Sequence, residues 1–159
     1  MNKKTIYDIP VNGKKVYVRV DYNVPHDEQG NILDDRRIRS TLPTINYLLE
    51  HGAAVILASH MGRPKGQVKP DLSLKPVAAR LSELLGREVK FAPSCVGEET
   101  RQMKKALKPG EVLLLENLRF EKGEERKNHV DFKAVCILLQ ALSAPVLLGL
   151  PLCNGAVYH

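Results

Sequence analysis

Residues 53–66 read AAVILASHMGRPKG and decide the fold that the sequence predicts. The first six are apolar and β-branched in part, which is typical of a short strand buried on both faces of a parallel sheet. The next eight, residues 59–66 (SHMGRPKG), combine glycine, proline and cationic side chains where that strand ends. Because ligands of open α/β sheets bind at the carboxyl ends of the strands, this segment predicts a loop that binds a small anion. Taken alone, the eight residues are also consistent with a solvated basic turn.

Two further apolar segments lead into polar residues. Residues 15–20 (KVYVRV) alternate as in a strand and precede Asp21 and Asn23, and residues 111–115 (EVLLL) precede the run 116–120 (ENLRF). Because side chains alternate along an extended chain, Asp21 and Asn23 can face the same ligand. An alternative is a turn in which both side chains bond their own backbone.

Helical segments are predicted between the strands. Residues 35–52 carry apolar side chains at helical spacing, with Asp34 or Asp35 as a cap at the start and Gly52 at the end. Pro43 either kinks this helix or marks a later start. The remaining predicted elements are helices at residues 73–85 and 98–107 and a short strand at residues 88–91. This alternation predicts an α/β fold: a doubly wound parallel sheet with helices on both faces, in a Rossmann-like three-layer arrangement.

The polar groups that follow the three strands are predicted to converge at one edge of this sheet. Three arginines in the first turn of the helix at residues 35–52 oppose the helix dipole, a local conflict that hints at function. Cations outnumber carboxylates in the converging set, and guanidinium groups bind phosphate and carboxylate by two-point contacts. We therefore predict a site for a small acid bearing both groups, formed by Asp21, Asn23, Arg37, His60, Arg63 and Arg119.

Composition narrows the class of protein. The chain has 159 residues and is 43% hydrophobic, which is enough for one globular domain with a core. Lys and Arg outnumber Asp and Glu by 24 to 18, and the net charge of +6 favours an anionic partner. Aromatic residues make up only 5% of the chain and the basic residues are scattered, so stacking on single-stranded nucleic acid has little support.

Targeting signals, membrane-spanning segments and cysteine pairs in a sequence indicate the compartment of a protein. The charged N-terminus is followed by no apolar region typical of a secretory signal, and no apolar run is long enough to span a membrane. Cys95, Cys136 and Cys153 form no close pair and lack metal-ligand spacing. We therefore expect a cytoplasmic protein with reduced thiols.

Five segments together resemble the N-terminal domain of the phosphoglycerate kinase family, in its bacterial form. Their order and number make the resemblance specific, and it runs from residue 1 to about residue 132. The segments are residues 19–25 (RVDYNVP), 34–39 (DDRRIR), 42–45 (LPTI), 59–66 (SHMGRPKG) and 113–120 (LLLENLRF).

The resemblance implies a glycolytic enzyme that transfers a phosphoryl group reversibly from 1,3-bisphosphoglycerate to ADP, giving 3-phosphoglycerate and ATP. It implies that Asp21 and Asn23 hold the hydroxyl and carboxylate region of 3-phosphoglycerate. The basic patch it implies consists of Arg37, His60, Arg63 and Arg119. Arg37 is also the implied catalytic residue, whereas Arg36 stands where the family commonly has threonine and receives no role.

The resemblance also bears on cofactors and partners. In the family, the C-terminal domain binds the magnesium nucleotide, so we expect no cofactor or metal site in this chain. The expected partner is the small-molecule substrate, 3-phosphoglycerate or 1,3-bisphosphoglycerate, with no nucleic acid and no membrane. The expected oligomeric state is a monomer.

Residues 133–159 depart from the family pattern. From residue 134 onward they contain no Asp, Glu, Lys or Arg, and the Asn-Asp-Ala-Phe-Gly and His-Arg-Ala-His segments of the family are missing. Our hypothesis is a shift of reading frame near Phe132, which makes residues 1–132 the substrate-binding domain and residues 133–159 an aberrant apolar tail. The alternative is a genuine buried helix at residues 134–142 and a strand at residues 146–150. In either case we expect an incomplete sheet and no nucleotide-binding domain, and so a fragment with weak substrate binding and no activity alone.

Two other classes of function stay open. One is a non-catalytic basic α/β module that binds nucleic acid or another polyanion, which a steep dependence of binding on salt would favour. The other is a misfolded translation product whose apolar tail promotes association.

Overall fold

The computed structural model describes residues 6–121 and two later strands at residues 146–149 and 156–158. Three short 3₁₀ turns, at Ile6–Asp8, Pro70–Leu72 and Leu118–Phe120, accompany the regular elements. The strands are β1 (Lys15–Arg19), β2 (Ala54–Ala58), β3 (Val89–Phe91), β4 (Val112–Leu114), β5 (Val146–Gly149) and β6 (Ala156–Tyr158). The helices are α1 (Arg36–Ser40), α2 (Leu42–Glu50), α3 (Lys75–Leu85) and α4 (Glu98–Ala106).

The described strands form one sheet in the order β3-β4-β2-β1-β5-β6. Neighbours from β3 to β5 run parallel, and β1 pairs with β2 from Lys15 opposite Ala54 to Arg19 opposite Ala58. The parallel α/β sheet that the sequence predicts is therefore confirmed. β6 runs antiparallel to β5, which the sequence analysis did not predict.

Alternating side chains of the central strands build two separate cores. Val16, Val18 and Leu57 face the helices α1, α2 and α3, and they share a core with Ile38, Ile45 and Leu81. Tyr17, Ile56 and Leu113 face the other side, where Leu107 at the end of α4 packs with them. β2 is buried along its whole length, as expected of a central strand in a three-layer fold. Helices thus cover both faces of the sheet, as the sequence predicts.

The segment predicted as one helix from residue 35 to residue 52 is two helices. α1 ends at Ser40, and α2 begins at Leu42 with Pro43 in its first turn, where the missing backbone N–H leaves no bond unmade. Pro43 therefore marks a new helix start. Asp34 accepts the Arg36 backbone N–H at 2.9 Å, so it caps α1 through its side chain, whereas Asp35 does not.

Several predictions concern residues near the end of the chain. β5 lies within residues 146–150, where the alternative to a frame shift predicts a strand. The predicted helix at residues 134–142 lies outside the described residues, as do Cys136 and Cys153. The boundary at residue 132 stays a prediction. Cys95 is buried, and its thiol donates to the Glu116 carbonyl at 2.9 Å. No helix among the described residues is long and apolar enough to cross a membrane.

Candidate functional site

The segments that follow β1, β2 and β4 meet at the carboxyl edge of the sheet. Ser59 joins all three: its hydroxyl accepts the Tyr22 backbone N–H at 2.8 Å, and its carbonyl accepts the Leu118 N–H at 2.9 Å. The loop after β2 is closed by a further bond from the Gly66 N–H to the Arg119 carbonyl at 3.2 Å. Backbone groups and the Ser59 hydroxyl therefore fix three strand ends against one another without any charged side chain. We call the six predicted site residues here the strand-end cluster: Asp21, Asn23, Arg37, His60, Arg63 and Arg119.

Arg37 reaches from α1 to the end of β1. Its Nη1 donates to Asp21 Oδ2 at 2.8 Å and to the Asn23 carbonyl at 3.1 Å. The other Asp21 oxygen accepts the Asn23 backbone N–H at 3.1 Å. The turn interpretation is therefore confirmed for Asp21, whose side chain also makes a long-range contact with Arg37, and the interpretation that Asp21 faces a ligand stays a prediction.

Asn23 and Arg119 meet at Gly62. The Gly62 N–H donates to Asn23 Oδ1 at 3.1 Å, and the Gly62 carbonyl accepts Arg119 Nη1 at 2.7 Å. Gly62 has a φ of +61°, and a Cβ there would lie 2.7 Å from Leu72 Cδ2, so the position favours glycine. Asp21, Arg37, Asn23, Gly62 and Arg119 form one continuous chain of contacts.

His60 and Arg63 lie on the same loop as Gly62. His60 follows β2 and is half-buried, and Arg63 is exposed. Arg63 makes no hydrogen bond or ion pair with the described part of the chain. The loop thus brings these two residues to the edge where the rest of the strand-end cluster lies, but Arg63 is not tied into the chain of contacts.

Arg36 and Arg37 are adjacent in sequence but differ in their partners. Arg36 Nη2 contacts Asp34 at 2.6 Å, and this hydrogen-bonded pair lowers the pKa of Asp34 to about 2. Arg37 instead contacts Asp21 at 2.8 Å. Among the three arginines of α1, Arg37 is the one that contacts another residue of the strand-end cluster within the described part of the chain. Arg39 instead bonds Asp35 at 2.9 Å.

A separate cleft of about 480 Å³ lies beside the strand-end cluster and shares Met61 with its loop. Its polar lining is mostly acidic and includes Asp27, Glu28 and Asp71, together with His26. Hydrogen bonds from Asn31 hold the pKa of Asp27 below its usual value, which keeps this carboxyl ionised. An acidic cleft repels small anions, so we place the candidate site at the basic edge instead.

The phosphoglycerate kinase family model matches residues 6–144. This chain belongs to the phosphoglycerate kinase family. The resemblance that the sequence motifs carry is therefore confirmed. The matched residues pass beyond residue 132, where the sequence analysis places the end of the domain.

Named phosphoglycerate kinases are similar to this chain over its N-terminal part. The Geobacter metallireducens protein is 62% identical over 122 residues, which is 77% of this chain and 30% of the relative. The Aquifex aeolicus protein is 60% identical over 124 residues, 78% of this chain and 31% of the relative. A wheat relative named as cytosolic is 60% identical over 128 residues, 80% of this chain and 31% of the relative. The chain thus spans about a third of the length of these relatives.

Solved phosphoglycerate kinase structures share the fold. The Pyrococcus horikoshii structure superposes with a TM-score of 0.76 at 36% identity, covering 86% of this chain and 33% of the other. The Coxiella burnetii structure has a TM-score of 0.77 at 32% identity, covering 93% and 36%. The α/β fold class is therefore that of the phosphoglycerate kinase family.

Sequence reasoning missed the residues that hold the loops at this edge of the sheet together. Asn117 is fully buried between the loop after β2 and the 3₁₀ turn at Pro70–Leu72. Glu116 accepts the Ser73 hydroxyl at 2.7 Å and the Leu74 N–H at 2.9 Å, which joins the end of β4 to the start of α3. The signal available was their place directly after an apolar strand, but the sequence does not tell a buried amide from an exposed one.

The residues at this edge suit an anion better than a metal ion. No group of three potential metal-ligating side chains exists among residues 6–121. The carboxylate within the strand-end cluster, Asp21, is engaged by Arg37. The chemistry available here is charge neutralisation and orientation of an acidic ligand by guanidinium, amide and backbone N–H groups.

Proposed function

We propose that the strand-end cluster binds 3-phosphoglycerate or 1,3-bisphosphoglycerate as the substrate of a phosphoglycerate kinase reaction. The observation that carries the proposal is the continuous chain of contacts from Arg37 through Asp21 and Asn23 to Gly62 and Arg119. These contacts support the proposal because they connect two guanidinium groups, one carboxylate and one amide at one edge of the sheet. A phosphorylated hydroxy acid offers two anionic groups to the arginines and a hydroxyl to the carboxylate.

In this proposal the chain contributes positioning and electrostatics to phosphoryl transfer. Asp21 and Asn23 orient the hydroxyl and carboxylate end of the substrate, while Arg37, His60, Arg63 and Arg119 form the cationic surroundings. Arg37 is the proposed catalytic residue, because a guanidinium that contacts the reacting end stabilises the negative charge that spreads over the transferring group. The nucleotide, where it takes part, is assigned no contact with these residues.

Isothermal titration calorimetry of the 159-residue chain with 3-phosphoglycerate tests this function. We expect weak but saturable binding to the chain as it stands. Arg37→Gln should lower the affinity by roughly tenfold or more, because a charge-assisted hydrogen bond is worth about 1.5–3 kcal/mol.

Arg36→Gln is the matched control for this experiment. It removes the same charge from the same turn of α1, but it breaks only the exposed contact with Asp34. We expect the affinity to stay within about twofold of the parent chain, since exposed ion pairs contribute little. Equal losses in the two variants, or no binding by the parent chain, would contradict the proposed site.

The activity of the chain alone is a separate question. We propose that the chain by itself forms no ATP from 1,3-bisphosphoglycerate and ADP. A coupled assay on the pure chain that recorded ATP formation above background would overturn this statement without affecting the binding site.

We also propose that the protein acts in the cytoplasm as a monomer. The name of the wheat relative, which is described as cytosolic, supports the localisation, whereas the monomer is what the family resemblance implies. Cell fractionation and sedimentation equilibrium of the pure chain test the two parts of this proposal.

A further inference from the structure

Asn117 uses the whole hydrogen-bonding capacity of its side chain inside the protein. Its exposed fraction is 0%. Nδ2 donates to the Met61 carbonyl at 2.7 Å and to the Leu72 carbonyl at 2.9 Å. Oδ1 accepts the Met61 N–H at 3.2 Å and the Arg119 N–H at 3.0 Å. Two carbonyl partners and two N–H partners fix the orientation of the amide and leave none of its donors or acceptor positions unused.

These four bonds end next to residues of the strand-end cluster. Both backbone groups of Met61 are held, and Met61 lies between His60 and Gly62 in the loop after β2. Gly62 in turn contacts Asn23 and Arg119 at 3.1 and 2.7 Å. Asn117 also bonds the backbone of Arg119 directly. One buried amide therefore sets the backbone from which the cluster's loop and second arginine project.

We propose that Asn117 is a positioning residue for substrate binding, which holds the Gly62 backbone and Arg119 in the arrangement that meets the substrate. This inference rests on the proposed function for its effect on affinity, but its effect on the loop can be measured without any ligand. Asn117 does not touch the substrate in this proposal. It acts through Met61, Gly62 and Arg119.

The chemistry of the position explains why an amide is needed there. Aspartate has the same shape and keeps the acceptor, but it lacks both Nδ2 donors and leaves the Met61 and Leu72 carbonyls facing a carboxylate. Leucine has a similar volume and satisfies none of the four partners. A buried polar group left without its partner destabilises its own surroundings, here the loop after β2.

The test compares Asn117→Asp with Thr100→Val. Thr100, in the first turn of α4, is also fully buried, and its hydroxyl donates to the Ser94 carbonyl at 3.0 Å on the face of the sheet away from α1. Thr100→Val therefore removes a buried hydrogen bond elsewhere and controls for a general loss of stability. Both variants are measured well below their unfolding temperatures.

Two readouts decide the outcome. In Asn117→Asp we expect hydrogen exchange of the Gly62 amide to accelerate by roughly tenfold or more without ligand, and affinity for 3-phosphoglycerate to fall by at least about tenfold. Thr100→Val should leave both within about twofold. If the two variants have the same Gly62 exchange rate and affinity, Asn117 has only a structural role and the proposal is wrong.

A second measurement covers the case in which Asn117→Asp does not fold. Native-state hydrogen exchange of the parent chain at increasing denaturant follows the Asn117 side-chain amide protons and the Gly62 amide. We expect both to open in one event with the same free energy and denaturant dependence. If Gly62 opens at lower denaturant than Asn117, the proposal is overturned.

Failure of the proposed function has a different signature. In that case the parent chain does not bind 3-phosphoglycerate, while the exchange of Gly62 still responds to Asn117. Conversely, binding by the parent chain with no response of Gly62 to Asn117 rejects the positioning role and leaves the proposed function in place.

Discussion

Tyr22 joins the end of β1 to the end of α1 through one buried hydrogen bond. Its exposed fraction is 0%, and its phenol lies 2.8 Å from Thr41 Oγ1. The Thr41 hydroxyl donates to the Ile38 carbonyl at 2.7 Å, so the phenol is the donor between them. Burial raises the pKa of Tyr22, which keeps the phenol protonated. This bond connects the turn that carries Asp21 with the helix that carries Arg37.

Tyr22→Phe should lower the free energy of unfolding by about 1 kcal/mol, the usual net worth of one buried hydrogen bond. Urea denaturation of the variant measures this loss. In the double variant Tyr22→Phe/Thr41→Val the losses should not add, because both changes remove the same bond. Full additivity would show that the Tyr22–Thr41 bond contributes nothing to stability.

Lys104 is a buried ammonium with few partners. It is 4% exposed, its Nζ donates to the Cys95 carbonyl at 3.2 Å, and it lies 5.7 Å from the centre of the Tyr17 ring. Burial lowers its pKa. One carbonyl and one aromatic ring compensate only part of the cost of removing the charge from water.

Lys104→Met should therefore raise the free energy of unfolding at pH 7 by about 1 kcal/mol. The folded-state pKa lies below the unfolded value, so the charged form is the one that burial disfavours. The advantage of the variant is full below the folded-state pKa and shrinks as the pH rises above it. Lys105→Met, at the exposed neighbouring position, is the control and should change little. A destabilised Lys104→Met variant would show that the ammonium is well paired.

At the scale of elements, α1 is held by acidic residues at its start. Asp34 bonds Arg36 and has a pKa of about 2. Asp35 accepts Arg39 and also Arg80 of α3, and these hydrogen bonds lower its pKa as well. These contacts offset the unfavourable effect of three arginines in a short helix on its dipole.

The pH dependence of folding tests this arrangement. Because the folded-state pKa of Asp34 lies below its unfolded value of 3.8, its contribution to stability is present above about pH 4. The contribution is lost as the pH falls toward 2. Asp34→Asn should therefore flatten the fall of the free energy of unfolding over this range. An unchanged pH profile, or an NMR titration of Asp34 near its ordinary pKa, would contradict the expectation.

The sequence predicts strands better than the division of helices. β2 is apolar throughout and lies at residues 54–58, one residue shorter than the predicted range. The split between α1 and α2 depends on Thr41, whose N–H bonds the Ile38 carbonyl at 3.2 Å and whose hydroxyl meets Tyr22. Apolar spacing continues smoothly across that break, so Pro43 is the sequence signal for it, and the choice between a kink and a new start depends on the long-range contact.

The candidate site likewise contains residues that the sequence predicts and residues that it does not. The position of Asp21, Asn23 and Arg119 at one sheet edge could be predicted because each follows an apolar strand. Asn117 could not, because its partners Met61 and Leu72 are 56 and 45 residues away in the chain. The spacing of apolar residues predicts which face of a strand or helix a residue lies on. It does not predict that the Asn117 amide is buried among backbone groups that are distant in the sequence.

At the scale of the whole molecule, the net charge of +6 leaves nucleic acid as the competing partner. We expect the chain to bind 3-phosphoglycerate at 0.15 M salt while a mixed-sequence oligonucleotide shows only weak binding that disappears as salt rises. Fluorescence anisotropy with a labelled oligonucleotide over a salt series measures the second quantity. A steep salt dependence together with indifference to 3-phosphoglycerate would favour the polyanion-binding module.

The reading frame downstream of residue 132 is also a question about the whole chain. The family match reaches residue 144, and β5 pairs with β1 in parallel. Resequencing the coding DNA and translating all three frames tests the predicted shift. Another frame that encodes the Asn-Asp-Ala-Phe-Gly and His-Arg-Ala-His segments would support it, and the absence of both would favour a genuine strand at residues 146–150.

The Arg37–Asp21 ion pair bears on which anions the protein ignores. The Asp21 carboxylate, which the fold holds 2.8 Å from the Arg37 guanidinium, competes with every incoming anion for that guanidinium. A short tether corresponds to an effective concentration on the order of millimolar or more, so an anion that offers a single contact must outcompete it at that level. A ligand that carries a hydroxyl as well as anionic groups can donate a hydrogen bond to Asp21 while it contacts Arg37, so it does not have to displace the carboxylate. We therefore expect the ion pair to disfavour the binding of inorganic anions and to favour ligands that engage both of its members.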